Sequence, residues 1–249
     1  VNLQLRGKDV AAYVLIVVLA CSLFYCAWAN YTEQECVTNQ DAVFQLAPFN
    51  TFTLGQYEGF MSYGELAKYG DFGIGTFEGL DGEMLAFDGV FYQIPSNGTP
   101  RVADDSQLTP YAVVTFFKPS ESFTVSGLTY SQLQKYLDTQ LDVDSDVIYA
   151  VKVSGIFDWA YTRSPQKQSL PYPELTEALK TQSVFNLTSF SGTSVGFWFP
   201  PSMDGVDYAG YHMHLITDDF TGGGHVSDCL INSAIIEIEE IHHYSLLLP

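Results

Sequence analysis

The chain has 249 residues, 47% of them hydrophobic, which is enough for one large hydrophobic core or two smaller ones. Ten basic residues face 29 acidic ones, giving a formal charge of −19. That balance argues against a nucleic-acid partner, which needs a basic footprint for phosphates, and leaves a small molecule or another protein.

At the amino terminus, Arg6 and Lys8 precede an uncharged run from Val10 to Ala29 that closes on Ala27-Trp28-Ala29. A basic start, an apolar run and a small-x-small ending make residues 1–29 a secretion signal, and the protein is then secreted or extracytoplasmic. At twenty residues the run is also long enough to stay uncleaved as a membrane anchor. Cleavage leaves Cys36 and Cys229, for which a disulfide is expected in an oxidising compartment; two free thiols are the alternative. Asn30, Asn97 and Asn186 each begin a glycosylation triplet.

Past Asn30, short apolar runs alternate with Gly, Pro and aromatic residues, a strand-rich pattern. "VFQLAPFNTFTLGQY" reads as a strand and turn, and residues 61–70 as a short helix stopped by Gly70. "MLAFDGVFYQIP" reads as a hairpin turning at Asp88-Gly89, because that pair tolerates positive φ. "YAVVTFFKP" is a compact strand. Leu133, Tyr136, Leu137 and Leu141 recur at helical spacing within 129–141, after which "VIYAVKVSGIFDWAYTR" returns to strand. Three prolines then lead into a helix from about Glu174 to Lys180, so residues 30–165 and 186–249 are expected as two lobes joined by a helical connection over 166–185. In the second lobe Ile236-Glu237-Ile238-Glu239 alternates as a half-buried strand. His242 and His243 are adjacent, face opposite ways on a strand, and are assigned to the surface or an edge.

"YHMHLITDDFTGGGH", residues 211–225, holds three of the five histidines. Side chains alternate along a strand, so His212 and His214 share a face. The turn-rich stretch from Asp218 to Gly224 folds the chain back and sets His225 opposite them. Three imidazoles with an open fourth position make a catalytic zinc site, although imidazole also suits copper, nickel and iron. Cys229 as a fourth ligand would instead close the shell into a structural site.

Two further segments, "YGDFGIGTFEGLDGEM" (69–84) and "GIFDWAYTRSPQKQ" (155–168), stand upstream of the histidines. With them, the chain from about Leu46 to Pro249 resembles the α-acetolactate decarboxylase family. The resemblance implies an α+β, strand-rich fold of two lobes built on mixed and antiparallel β-sheets with few helices, commonly paired as homodimers. It implies a Zn2+ cofactor on His212, His214 and His225, with Thr76, Glu83 and Arg163 around it. The implied substrate is acetolactate, which loses carbon dioxide through a zinc-stabilised enediolate to give acetoin. Arg163 orients the departing carboxylate or places a donor near the reprotonated carbon, and Glu83 binds the hydroxyl or relays a proton. Without the resemblance, Glu83 reads as a turn residue after Asp81-Gly82, Arg163 as a surface ion-pair residue and Thr76 as a strand hydroxyl. The family also carries an active-site glutamate in a C-terminal tail; here it comes from beyond "SLLLP" or this branch works without it. Two other readings stand beside this one. A secreted cupin-like metalloenzyme would need a glutamate where this chain has Asp218 and Asp219, and a non-catalytic metal-binding protein would use the closed shell with Cys229.

Overall fold

The computed structural model describes residues 18–23, 25 and 42–249. Residues 18–23 are helical, and among the described residues no helix is long and apolar enough to cross a membrane. The rest of the expected signal or anchor, with Cys36 and Asn30, lies outside the described residues.

In chain order the strands are β1 (Ala42–Leu46), β2 (Met61–Ser62), β3 (Phe72–Thr76), β4 (Glu83–Phe87), β5 (Val90–Ile94), β6 (Arg101–Val102), β7 (Leu108–Thr109) and β8 (Ala112–Thr115). They continue as β9 (Glu121–Thr129), β10 (Ile148–Ser164), β11 (Ser183–Phe199), β12 (Gly210–Thr217), β13 (Gly223–Ile241) and β14 (His243–Leu247). The helices are short: α1 (Phe49–Thr53), α2 (Tyr63–Leu66), α3 (Tyr130–Leu137) and α4 (Leu175–Ala178). The strand-rich α+β expectation is met.

One sheet runs β14-β1-β8-β3-β4-β5-β6 and is mixed, because β14 lies parallel to β1 while the other pairs are antiparallel. The second, β10-β11-β12-β13-β9, is antiparallel, and pairing of β10 with β13 closes its first four strands into a ring. Val43, Phe72, Ile74 and Val113 of the first sheet share a buried core with Val195, Phe197, Phe199 and Ile216 of the second. Phe197 is fully buried and meets Phe72 edge-on at 5.8 Å between ring centroids. Phe197→Ala is therefore expected to cost about 3–5 kcal/mol, read as a lowered urea midpoint; an unchanged midpoint would contradict a shared core.

Local expectations hold where residue chemistry acts over a few positions. Asp88 and Gly89 both take positive φ, 52° and 76°, between β4 and β5, as a primed hairpin turn requires. Thr129 and Gln132 form a reciprocal capping box at the start of α3, which buries Leu133 and Leu137. The other two helices are shorter than expected: residues 61–70 yield only α2, and the 174–180 helix tightens into a 3-10 turn after Ala178.

The lobe boundary needs correcting. β10 and β11 pair antiparallel from Tyr149 opposite Trp198 to Ser164 opposite Ser183, so the proline-rich stretch is the loop of a long hairpin inside the second sheet. The first sheet instead draws its strands from residues 42–115 and 243–247, with β2 and β7 paired separately, and the second from 121–241. Prolines withhold backbone donors and mark a connection, but they do not say whether its two ends pair with each other.

Of the expected Cys36–Cys229 disulfide, only Cys229 falls among the described residues. Cys229 is a free thiol, 3% exposed, packed in the core under the second sheet, and burial pushes its pKa up to about 12. That environment suits an inert structural cysteine.

Candidate metal centre

The Gly-rich turn brings β12 and β13 together so that His214 stands directly opposite His225, with His212 two residues along the same face. Close backbone approach is the reason for the glycines. A Cβ on Gly223 would fall 2.4 Å from the Leu215 carbonyl oxygen, and one on Gly224, where φ is 131°, 2.5 Å from that of Arg163. Arg163 in turn pairs with His225 across β10 and β13.

The three imidazole rings lie 4.9 to 5.4 Å apart between centroids, with one ligand nitrogen from each within 4.8 Å of the others. His214 donates from Nδ1 to the Met84 carbonyl oxygen at 2.7 Å, which fixes its tautomer and leaves Nε2 as the electron-pair donor. That Nε2 and His212 Nδ1 are buried without a hydrogen-bond partner. Two orphaned buried nitrogens on converging rings fit a bound metal, since buried polar atoms otherwise find partners. Burial is the largest cause holding all three histidines below their ordinary pKa, His214 down to about 4, so each is the neutral ligand a metal needs.

Glu83 and Arg163 flank this cluster. Glu83 Oε2 is 3.5 Å from His214 Nε2, and its side chain is 13% exposed. Burial pushes its carboxyl up to about 8, opposed by the Arg163 guanidinium. Arg163 Nη2 donates to His225 Nε2 at 3.1 Å. Thr76 pairs with Glu83 across β3 and β4, and its hydroxyl donates to the Gly82 carbonyl at 2.6 Å. It thus pins the turn that delivers Glu83.

All six expected residues line one cavity of about 560 Å³. The strands that carry them come from both sheets: Thr76 and Glu83 from the first, Arg163 and the histidines from the second. Residues that sequence reading missed complete it, notably Phe49, Phe52, Tyr111 and Tyr208, along with the Met84 carbonyl that orients His214. The four aromatic residues lie outside the three segments that carry the resemblance, and Met84, which ends the 69–84 segment, acts through a backbone carbonyl that no side-chain pattern reveals. Cys229 faces a separate, small apolar cavity, so the closed four-ligand shell is not formed; among the described residues the metal-capable group is the three histidines. His242 and His243 are exposed, as expected.

Residues 43–249 match the family model described as alpha-acetolactate decarboxylase. The chain belongs to the alpha-acetolactate decarboxylase family. It is 39% identical to the alpha-acetolactate decarboxylase of Brevibacillus brevis, over 84% of this chain and 74% of that one. With its counterpart from Klebsiella aerogenes it shares 38% identity over 83% and 80% of the two chains. A crystal structure of the Bacillus subtilis alpha-acetolactate decarboxylase superposes with a TM-score of 0.81 at 35% identity, covering 84% of this chain and 89% of that one. Against this membership the cupin reading has nothing left to support it. An alpha-acetolactate decarboxylase must accept an electron pair when carbon dioxide leaves and return a proton to carbon, and the cavity offers a metal-capable triad, a guanidinium and a carboxyl for those tasks.

Proposed function

We propose that this chain decarboxylates (S)-2-acetolactate to (R)-acetoin and carbon dioxide, with Zn2+ held by His212, His214 and His225. The observation that carries the reading is the convergence of three neutral imidazoles, Glu83 and Arg163 on one cavity in a chain of this family. When bound, zinc supplies Lewis acidity to the ketone and hydroxyl oxygens of the substrate.

The protein's own groups do the rest. The planar, cationic fork of Arg163 suits the substrate carboxylate, and we assign it that anchor. As the bond between that carboxylate and the neighbouring carbon breaks, its electron pair stays on carbon, conjugated with the former ketone. One proton must then be added to that carbon. Glu83 is the carboxyl facing the same space, and we assign it the transfer. Thr76 holds the turn that aims Glu83. Phe49, Phe52 and Leu80 give the cavity apolar walls, which strengthen the pull of its charged groups on the developing charge.

The same reading includes export through residues 1–29, with the mature chain starting at or near Asn30, and assembly as a homodimer. The test is one preparation. Protein recovered from the medium is measured by intact mass and by light scattering, loaded with stoichiometric zinc and given racemic acetolactate. Acetoin is expected well above the spontaneous background without any organic cofactor, lost on chelation and recovered with added zinc. Zinc-loaded protein that forms none would overturn the catalytic reading; retention at the membrane with residues 1–29 intact would overturn export, and a monomer mass would overturn the dimer.

A further inference from the structure

Asp207 is 1% exposed yet belongs to none of the motifs above. It sits in the loop between β11 and β12, and its Oδ1 accepts from the Tyr111 hydroxyl at 3.0 Å and from the Tyr208 backbone N–H at 2.5 Å. Its Oδ2 has no hydrogen-bond partner. Tyr111 immediately precedes β8 of the first sheet, whereas Tyr208 leads into the strand that carries His212 and His214. Both tyrosines line the cavity. The ring of Tyr208 meets that of His212 edge-on at 5.7 Å, and both Tyr111 and Tyr208 meet Phe49 edge-on, at 5.7 and 6.1 Å.

We propose that Asp207 is a positioning residue for the decarboxylation site. Its buried carboxyl ties Tyr111 to the loop bearing Tyr208, which sets the aromatic wall of the cavity and, through Tyr208, steadies the His212 ring. The inference rests on the function proposed above. A carboxyl is a costly choice for such a place, and its chemistry gives the tie a signature. The groups facing Asp207 are Tyr111 from beside β8, Tyr244 from β14 and Tyr208 from its own loop; among the described residues no cation opposes it. Burial raises its pKa to about 7, with the two hydrogen bonds opposing. A raised pKa means that the proton favours the tied state. Deprotonation above about 7 therefore favours a released loop whose carboxylate reaches water.

The experiment compares wild type with Asp207→Asn, Asp207→Ala and Tyr111→Phe, reading kcat, KM for acetolactate and zinc affinity across about pH 5 to pH 9. Wild-type KM is expected to rise as pH passes through about 7. Asp207→Asn keeps an acceptor and has no proton to lose, so that rise should disappear. At low pH, Asp207→Ala and Tyr111→Phe should each raise KM about five- to tenfold, the equivalent of one lost hydrogen bond, with a smaller fall in kcat. A wild-type pH profile in Asp207→Asn, or KM values in the other two variants equal to wild type with only a lower melting temperature, would overturn the proposal. If Asp207→Ala does not fold, Tyr111→Phe decides. If wild type itself makes no acetoin, the function reading fails and zinc affinity decides: a loss in the variants supports the tie to His212, and equal affinities refute it.

Discussion

Alanine at any one of His212, His214 and His225 should empty the metal centre and bring acetoin formation down to background, while His242→Ala and His243→Ala leave zinc content at one per chain. The three rings converge from adjacent strands, and a site with three protein ligands keeps too few after one is lost to compete with solvent. His242 instead lies exposed beside Glu240 at 2.9 Å. Metal content after gel filtration is the measurement. Full zinc in the His212→Ala/His214→Ala double variant would sink the assignment. The three losses should differ in stability, because only His214 is bonded to Met84. Its removal costs that hydrogen bond, about 0.5–1.5 kcal/mol, and His225→Ala likewise costs the bond from Arg163 Nη2, whereas His212→Ala breaks neither.

Arg163→Ala and Glu83→Gln are expected to keep zinc and lose turnover, each by on the order of a hundredfold or more. Glu83→Gln preserves the shape of a side chain that is mostly buried and removes only its ability to carry a proton. A normal KM with a collapsed kcat would be its mark. Arg163→Ala removes the carboxylate anchor, so KM should rise as kcat falls. Arg163→Lys tests the geometry: a lysine retains the charge but not the planar fork, and recovery should be small. Either variant turning over at the wild-type rate with zinc bound would remove that residue from the chemistry.

Much of the site is legible in the sequence because its parts are coded locally. Period-two alternation puts His212 and His214 on one face whatever the rest of the chain does, and Gly222-Gly223-Gly224 permits the close return that sets His225 opposite. The Asp88-Gly89 turn and the Thr129 cap of α3 are local in the same sense, since a residue's own φ range or a side-chain oxygen three positions away decides them. Thr76, Glu83 and Arg163 are a different case. Their residue types alone read as strand and turn, and the resemblance of whole segments singled them out.

Tertiary structure decided which strands meet. The segment rich in proline looks the same whether it joins two lobes or closes a hairpin, and only the cross-strand pairing of β10 with β11 shows which; likewise only its parallel pairing with β1 shows that β14 returns to the first sheet. Cys229 was free in the core for the same reason, its place being set by packing around the second sheet. Asp207 and Tyr111 are 96 positions apart, and Met84 lies 130 from His214. Local chemistry reaches only as far as one turn or one strand repeat, so the sequence by itself determined the three histidines and their facing. The cavity around them, the carbonyl that orients His214 and the carboxyl behind its aromatic wall arise only when two sheets bury a common core, because burial is what makes distant polar groups find one another.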